Sequence, residues 1–229
     1  MNFLIFFIAV LLLYPSVASS QGNQSGNSFS KAKKILHKAI HVTHRVTLYA
    51  QCTYNADKRV DWASCGLSPR KQPKRAARVE WEHVVPAWEF GHQMQCWQKG
   101  GRKACRKTPA FKRLESDMHN LRPAVGELNG DRSNYRYGMV SGEPRAYGDM
   151  VDFEVDFKQR VAEPAPQIRG DIARTYFYMA KEYSLTISKK HQKLFNAWDR
   201  QDPVSDWEIK RNELIHTIQG NYNTFIKGQ

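Results

Sequence analysis

The segment VEWEHVVPAWEF, residues 79–90, is the most informative part of the sequence. Its first seven residues predict an apolar strand that ends before Pro86, with Glu82 beside His83 near the strand end. Ionisable side chains seldom lie in an apolar strand without a partner. A carboxylate can bind a hard metal ion, and a neutral imidazole can take a proton from water. A buried pair that makes only structural hydrogen bonds is the alternative.

These two neighbours can share one site only if the strand is interrupted. Adjacent side chains of an ideal strand point to opposite faces of the sheet. A site that uses both Glu82 and His83 therefore requires the backbone to turn near His83, and Pro86 favours such a turn.

A second segment, ELNGDRSNYRYG at residues 127–138, supplies further groups of the same kind. Pro123 predicts the first turn of a short helix that carries Asn129. Asn129 offers a carbonyl oxygen to a metal ion, and Arg132 is expected to contact phosphate. Because Mg²⁺ prefers a few oxygen ligands from the protein and keeps several waters, Glu82 together with Asn129 would suit it.

The charge of the chain is strongly positive and unevenly distributed. The 229 residues carry 35 Lys and Arg against 22 Asp and Glu, a formal net charge of +13. Residues 21–113 hold 19 basic and 5 acidic side chains, so their net charge is +14. Such a balance points to nucleic acid or an anionic membrane surface as the partner, and charge alone does not separate them. The hydrophobic fraction of 41% excludes long disorder and a collagen-like repeat.

The N-terminus predicts a secretory signal peptide over residues 1–20. Phe3–Tyr14 is an unbroken apolar run of 12 residues, whereas a membrane-spanning helix needs about 20. Pro15 and a series of small residues follow it, which is typical of a cleavage site. A short membrane anchor is the alternative. We expect residues 21–28 to be a flexible leader and residues 29–229 to form a single mixed α+β domain.

The four cysteines predict two disulfides, because the count is even and the chain is exported. Three pairings are possible. Cys52–Cys65 with Cys96–Cys105 is favoured, since each closes a short local loop rich in polar residues. A zinc site is the alternative, but neither pair has the spacing of two to four residues that zinc ligands commonly show.

The rest of the chain predicts helices at both ends and irregular structure between them. We expect a helix from Phe29, a Gly- and Lys/Arg-rich loop over 91–110, and strands over 135–140 and 150–157. The C-terminal third is expected to be helical. The residues expected on one apolar helix face there are Ile168, Ile172, Tyr176, Met179 and Tyr183.

Three histidines, His37, His41 and His44, have helical spacing and could suggest a metal site. They lie about 200° from the apolar face of the same predicted helix. We therefore expect them to be exposed to solvent.

Several segments together closely resemble the endonuclease I family, secreted or periplasmic non-specific nucleases with a ββα-metal, or His-Me finger, site. The segments are EWEHVVPA, QCWQKGGR at 95–102 and MHNLRPAVGELNGDRSNYRYG at 118–138, with CTYNADKRVDWASCG at 52–66 as a further likeness. The resemblance covers roughly residues 30–215. It implies a ββα-metal catalytic core flanked by helices.

The resemblance also implies roles for five residues. His83 is similar in position to the family's general base, and Glu82 and Asn129 to the residues that hold the divalent metal, usually Mg²⁺, with Mn²⁺ or Ca²⁺ as further candidates. Glu115 corresponds to a further acidic position linked to activity. Arg102, in the GGR turn, corresponds to an arginine that steadies the scissile phosphate.

The reaction implied by this resemblance is hydrolysis of phosphodiester bonds in DNA, and often RNA, with 5′-phosphate ends as products. The expected setting is the periplasm or the medium, and we expect a monomer with no membrane association after signal removal. The chain departs from the family at YAQC, residues 49–52, where members commonly carry a YCGC-like pattern. The family's full disulfide scheme therefore does not transfer.

Two other functions are considered beside a nuclease. One is a secreted cationic protein that binds nucleic acid or an anionic surface without catalysis. The other is a zinc hydrolase, which the cysteines or the three histidines would have to support. The binding protein would need the charge but not Glu82, His83 or Asn129.

Overall fold

The computed structural model of the protein describes residues 22–142 and 144–227. The predicted signal peptide, residues 1–20, lies outside the described residues. Within them, no helix is long and apolar enough to cross a membrane. The α-helices are α1 (Phe29–Ile35, continued by a π-helical turn Leu36–Ile40), α2 (Pro73–Ala76), α3 (Ala87–Gly91), α4 (Gln95–Cys105), α5 (Pro109–Glu115), α6 (Gly126–Arg132), α7 (Arg169–Tyr183), α8 (Lys189–Gln201) and α9 (Asp206–Gln219).

A hairpin of two strands followed by a helix forms the centre of the molecule. Strand β1 (Val79–His83) pairs antiparallel with β2 (Leu121–Val125), and α6 begins directly after β2. Pro123, expected to open a helix, instead lies within β2 opposite Trp81. The helix that carries Asn129 begins three residues later.

A second sheet has three short strands in the order β3–β5–β4. They are β3 (Arg136–Tyr137), β4 (Phe153–Asp156) and β5 (Val161–Pro164). The strands expected over 135–140 and 150–157 are present but shorter. The sequence did not indicate β5, which pairs parallel with β3 and antiparallel with β4.

The C-terminal third is helical, as predicted. The apolar face of α7 is correct: Ile172 and Met179 are fully buried and Tyr176 nearly so, and α7 packs along α8. Helix α9 begins with a capping box, in which Ser205 and Glu208 exchange side-chain and backbone hydrogen bonds. Helices and small sheets surrounding shared cores confirm the α+β class.

Both disulfides form with the favoured pairing, Cys52–Cys65 and Cys96–Cys105. The second pair lies at the two ends of α4, in the segment expected to be a loop over 91–110. That expectation was wrong, because residues on both sides of Gly100 and Gly101 are helical. Gly101 has φ +59° and ψ −157°, a conformation that only glycine adopts readily, so α4 is sharply kinked there.

Residues 22–28, expected to be a flexible leader, are instead held against the body of the protein. Asn23 is buried and its side-chain amide donates to the carbonyl of Arg113 and to Ser116 Oγ. Its backbone N–H donates to the hydroxyl of Tyr183. Ser28 then caps the first turn of α1 through Lys31 N–H.

The histidine at position 41 is also not where the helical spacing placed it. Helix α1 widens into the π-helical turn, which rotates the later residues relative to a regular α-helix. His41 is therefore buried, and its ring contacts both Trp81 and Trp207.

Candidate active site

A deep cleft of about 920 Å³ lies beside the central hairpin. Four of the five predicted site residues, Glu82, His83, Arg102 and Asn129, line it. The fifth, Glu115, is buried behind the wall of the cleft and contacts two of its arginines. The predicted residues therefore come together although they are spread over nearly 50 positions of the chain.

His83 is the last residue of β1, and a hydrogen bond fixes which of its nitrogens is available. Nε2 lies 2.9 Å from the backbone carbonyl oxygen of Glu115. Because a carbonyl only accepts, Nε2 carries the hydrogen and Nδ1 keeps its lone pair. The ring is held between Phe29 and Phe90, whose ring centroids lie 5.0 and 5.9 Å away.

The charge state of His83 follows from its surroundings. Burial lowers the pKa of His83 to about 3, assisted by the positive charges of Arg102 and Arg106. The imidazole is therefore neutral at neutral pH, with Nδ1 free to accept a proton.

Glu82 is buried next to His83, and its Oε1 atom is fully engaged. Oε1 accepts hydrogen bonds from the Tyr49 hydroxyl at 2.5 Å and from Arg132 Nη1 at 2.8 Å. Burial raises the pKa of Glu82, although the charge of Arg132 and the bond from Tyr49 oppose this rise. A buried carboxylate of this kind is stabilised by a further cation.

Asn129 lies on α6 and is oriented by a residue that the sequence did not single out, Glu80. Its Nδ2 atom donates to Glu80 Oε2 at 2.8 Å. Burial alone would raise the pKa of Glu80, but hydrogen bonds from Arg75, Arg78 and Asn129 lower this pKa to about 2. Glu80 is therefore a permanent hydrogen-bond acceptor that fixes the side-chain amide of Asn129. The side-chain oxygen Oδ1 of Asn129 is left for another partner.

The spacing of these residues explains how α6 assembles the site. Glu80 and Glu82 are two apart on β1 and therefore share one face of the strand. Asn129 and Arg132 are three apart on α6 and share one face of the helix. Asn129 contacts the first glutamate and Arg132 the second, so helix and strand are joined by two polar contacts.

The backbone does turn after His83, as a shared site requires. The chain bends at Val84 and Val85 before Pro86. Arg132 holds this bend, since its Nη1 and Nη2 atoms donate to the carbonyls of His83 and Val84.

The expectation that Arg132 contacts phosphate was wrong. Its side chain is fully buried, pairs with Glu82 and lies over the ring of Tyr137. Arg132 is a structural cation that supports β1 from inside the molecule. Sequence spacing alone could not distinguish a buried arginine from an exposed one.

Glu115 positions two arginines with a single carboxylate oxygen. Its Oε1 accepts from Nε of Arg102 at 2.7 Å and from Nε of Arg106 at 2.8 Å. Both arginines line the cleft and are partly exposed. Because each uses Nε to bind Glu115, the terminal nitrogens are the atoms that face a ligand.

Lysines complete a strongly positive cleft. Lys33, Lys34, Lys38 and Lys58 line it together with the two arginines. Burial and the charges of Arg106, Lys58 and Arg102 lower the pKa of Lys33, although Glu115 opposes this. This accumulation of cations is suited to a polyanion.

Three contributors to the site were not predicted from the sequence: Glu80, Arg106 and Tyr49. Glu80 could have been found, because it is two residues from Glu82 and so shares its strand face. Arg106 lies one residue past Cys105, beside the disulfide that closes the arginine-bearing kink. Tyr49 has no local signal, since its contact with Glu82 depends on the fold.

The groups in the cleft have complementary chemistry. The cleft contains a neutral imidazole with a free lone pair and arginines with free terminal nitrogens. It also contains side-chain oxygen atoms of Glu82 and Asn129 that could bind a metal ion. Over the part of the chain that is described, no cluster of three or more His, Cys, Asp or Glu side chains could hold a metal ion. All four cysteines are paired in disulfides and are therefore not available as zinc ligands.

Comparison with known proteins agrees with the resemblance of the separate segments. The family model for endonuclease I matches residues 20–229. A "Periplasmic deoxyribonuclease" of Aeromonas hydrophila is 51% identical over 210 residues, which are 90% of this chain and 88% of the relative. An "Extracellular deoxyribonuclease" of the same organism is 51% identical over 206 residues, 88% of this chain and 89% of the relative. "Endonuclease-1" of Buchnera aphidicola subsp. Acyrthosiphon pisum (strain APS) is 47% identical over 196 residues, 84% of this chain and 78% of the relative. The chain therefore belongs to the endonuclease I family.

Proposed function

We propose that this protein is a secreted or periplasmic, non-specific endonuclease that hydrolyses phosphodiester bonds of DNA with one divalent metal ion. One observation carries this proposal: a single basic cleft combines the free Nδ1 of His83 with the oxygens of Glu82 and Asn129. The names of the relatives, periplasmic and extracellular deoxyribonucleases, support both the substrate and the location.

The donor set fits a hard divalent cation. Every hydrogen bond found to the Glu82 carboxylate among the described residues falls on Oε1, and the amide nitrogen of Asn129 is occupied by Glu80. Glu82 and the carbonyl oxygen of Asn129 would therefore hold the ion. Two oxygen ligands with room for water suit Mg²⁺ best, and Mn²⁺ or Ca²⁺ are alternatives. When bound, the ion would stabilise charge on the phosphate and on the leaving 3′ oxygen.

His83 would act as the general base. Its Nδ1 atom takes a proton from the water that attacks phosphorus, while the carbonyl of Glu115 holds the ring through Nε2. A phosphate beside Arg102 would offset one of the charges that lower the pKa of His83. Cleavage of the bond between phosphorus and the 3′ oxygen leaves a 5′-phosphate and a 3′-hydroxyl.

Arg102 would bind a phosphate oxygen with its terminal nitrogens, because Nε is held by Glu115. Glu115 acts through this arginine and is a positioning residue rather than one that touches the substrate. Contacts of this kind reach phosphate and not base edges, which explains cleavage without sequence preference. Since RNA carries the same phosphodiester, we extend the proposal to RNA.

Further features support an exported protein that acts alone. Two disulfides suit an oxidising compartment, and the apolar residues at 3–14 suit a signal peptide. A net charge of +13 opposes self-association, so we propose a monomer. Because the apolar run belongs to the predicted signal peptide, we also propose that the protein has no membrane association after signal removal. Sedimentation of the mature protein at several concentrations tests the monomer.

Plasmid nicking tests the activity. The oxidised mature protein is incubated with supercoiled plasmid in Mg²⁺, in EDTA, and in EDTA followed by excess Mg²⁺. We expect cleavage in the first and third conditions only, and products that DNA ligase can rejoin because they carry 5′-phosphates. An intact plasmid in Mg²⁺, with bound protein, would instead indicate the cationic binding protein.

A further inference from the structure

Trp88 is an exposed aromatic side chain inside the cleft. It lies in the first turn of α3, and 47% of its surface is exposed. Among the described residues, it is the only large apolar side chain that is both exposed and part of the cleft lining. The exposed ones elsewhere are Val42, Met139, Met150, Phe157, Tyr222 and Phe225.

One face of the Trp88 ring is covered by His92. The two ring centroids are 4.0 Å apart and the rings are within 5° of parallel. His92 Nδ1 donates to the backbone carbonyl of Trp88 at 2.8 Å, which fixes the imidazole beneath the indole. The exposed surface of Trp88 therefore belongs largely to the opposite face and the ring edge.

Helix α3, which carries Trp88, is held by contacts with α7 and with His83 at the end of β1. Glu89 accepts a hydrogen bond from the Tyr176 hydroxyl at 2.9 Å, and Phe90 is buried against the ring of His83. The position of Trp88 is thereby fixed relative to His83. Trp97, which also lines the cleft, is different because it packs against Gly91 and Phe111.

We propose that Trp88, backed by His92, is a stacking platform for a nucleobase next to the phosphodiester that is cleaved. Every base has a π-face, so stacking strengthens binding without selecting a sequence. Arg102 and Arg106 in the same cleft would hold the phosphates on either side. The base must be unstacked from its neighbours, so the contribution should be larger for single strands than for duplex DNA.

This inference rests on the proposed nuclease function, and the test separates the two. The substrate is a thymidine octanucleotide with phosphorothioate linkages except for one central phosphodiester. A matched oligonucleotide carries abasic residues on both sides of that linkage. The steady-state constants of wild type, Trp88→Ala and Trp88→Phe are measured on both substrates with Mg²⁺.

Tyr222→Ala is the matched control. Tyr222 is also exposed and stacks on a histidine, His216, at 3.8 Å, but it lies outside the cleft lining.

We expect Trp88→Ala to raise KM on the thymidine substrate about five- to tenfold, with kcat changed by less than about threefold. Trp88→Phe should lie closer to wild type, and Tyr222→Ala should not differ from it. On the abasic substrate, wild type and Trp88→Ala should have equal KM. An unchanged KM on the thymidine substrate, or the same rise on both substrates, would overturn the stacking role. Failure of wild type to cleave either substrate would instead contradict the proposed function.

A binding measurement keeps the test valid if Trp88→Ala does not fold. The fully phosphorothioate thymidine octanucleotide is titrated in EDTA while tryptophan emission is followed. Quenching in wild type that is lost in Trp88→Phe supports the platform. Equal quenching in both proteins contradicts it.

Discussion

Each group with a proposed chemical role in the cleft binds the protein with one polar atom and presents another. His83 donates through Nε2, Asn129 donates through Nδ2, and Arg102 donates through Nε. Glu82 accepts through Oε1. The atoms that remain are a basic nitrogen, two oxygens and a pair of guanidinium nitrogens. Fixing one end of each group orients the other before a ligand arrives, which is how a site becomes preorganised.

Glu80 holds the side chain of Asn129 and should therefore affect how tightly the metal ion binds. Glu80→Gln weakens the contacts from Arg75 and Arg78 and allows the Asn129 amide to rotate. We expect the Mg²⁺ concentration for half-maximal activity to rise about tenfold, as is common when a supporting partner of a ligand is changed. Glu213→Gln, which alters a contact to Tyr222 outside the cleft, is the control. An unchanged Mg²⁺ requirement would show that Glu80 does not orient Asn129.

A buried histidine outside the cleft determines a pH dependence of stability. Burial lowers the pKa of His119 to about 4, although Asp117 opposes this. Nε2 donates to the Asn221 carbonyl, and Nδ1 is buried with no hydrogen-bond partner among the described residues. The unfolded chain therefore takes up a proton near pH 6.5, whereas the folded protein does so only near pH 4.

The free energy of unfolding should accordingly fall as the pH drops from about 6.5 to about 4. For His119 alone the loss is up to about 3 kcal/mol. In His119→Gln, which keeps a donor for Asn221, the loss between pH 7.5 and pH 4.5 should be smaller by about 2 kcal/mol. Urea unfolding at both pH values measures it, and equal losses in the two proteins would refute the role of His119.

At the residue scale, the sequence located the ionisable groups but not their partners. Glu82 and His83 were conspicuous because they interrupt an apolar strand. Arg132 was predicted to contact phosphate, yet it is buried. The prediction was wrong because a single sequence does not show which side of a helix faces the interior. The contact between Tyr49 and Glu82 joins distant parts of the chain and left no local pattern.

At the scale of elements, β1 and α6 carry the proposed metal ligands, while the kinked α4 carries Arg102 and ends beside Arg106. Strand β1, strand β2 and helix α6 are consecutive in space, although about 40 residues separate the strands in sequence. Much of the intervening chain forms α3, α4 and α5. That insertion brings Arg102 and Glu115 back to the end of β1.

The Cys96–Cys105 disulfide joins the two ends of the kinked α4 and should hold Arg102 and Arg106 in position. The double variant Cys96→Ser/Cys105→Ser releases the segment that positions Arg102 and Arg106. Removing the other bridge, Cys52→Ser/Cys65→Ser, is the control. We expect both double variants to lose about 2 to 3 kcal/mol of stability.

Only the first double variant should also lose kcat, by about tenfold or more, when both are assayed well below their unfolding temperatures. Equal kcat values in the two variants would contradict a positioning role for this disulfide.

The elements that the sequence missed share a physical cause. Residues 95–105 are rich in Gly, Lys and Arg, which predicts a loop, but a disulfide and the packing of Trp97 on Phe111 hold them as two helical turns. Pro123 suggested a helix start, yet it lies within β2 opposite Trp81. Its carbonyl accepts from Leu48 N–H, so its backbone nitrogen points away from β1 and the strand pairing loses no hydrogen bond. Periodicity was more reliable for α7, whose apolar face is continuous.

At the scale of the whole molecule, the positive charge has a defined place. The excess over residues 21–113 includes six cations that line the cleft: Lys33, Lys34, Lys38, Lys58, Arg102 and Arg106. The net charge alone left nucleic acid and membrane surfaces equally open. The location of the cations around His83 and Asn129 favours a polyanion that is cleaved.

Salt dependence tests this placement. The triple variant Lys33→Gln/Lys34→Gln/Lys38→Gln removes three cleft cations. For duplex DNA in EDTA, we expect the slope of log Kd against log salt to decrease by up to about three. Lys189→Gln/Lys190→Gln/Lys193→Gln in α8 removes the same charge outside the cleft and should change the slope little. Equal changes would mean that only the net charge matters.

We propose that the neutral His83 is the base of a metal-dependent nuclease. The most direct measurement is the single-turnover cleavage rate of a saturated DNA substrate in Mg²⁺ for wild type, His83→Ala and the control His216→Ala, with binding measured in EDTA. We expect His83→Ala to reduce the rate by about 100-fold or more, while its DNA affinity and unfolding midpoint stay close to those of wild type. We expect His216→Ala to cleave at the wild-type rate. Cleavage by a folded His83→Ala protein within about threefold of the wild-type rate would contradict this proposal.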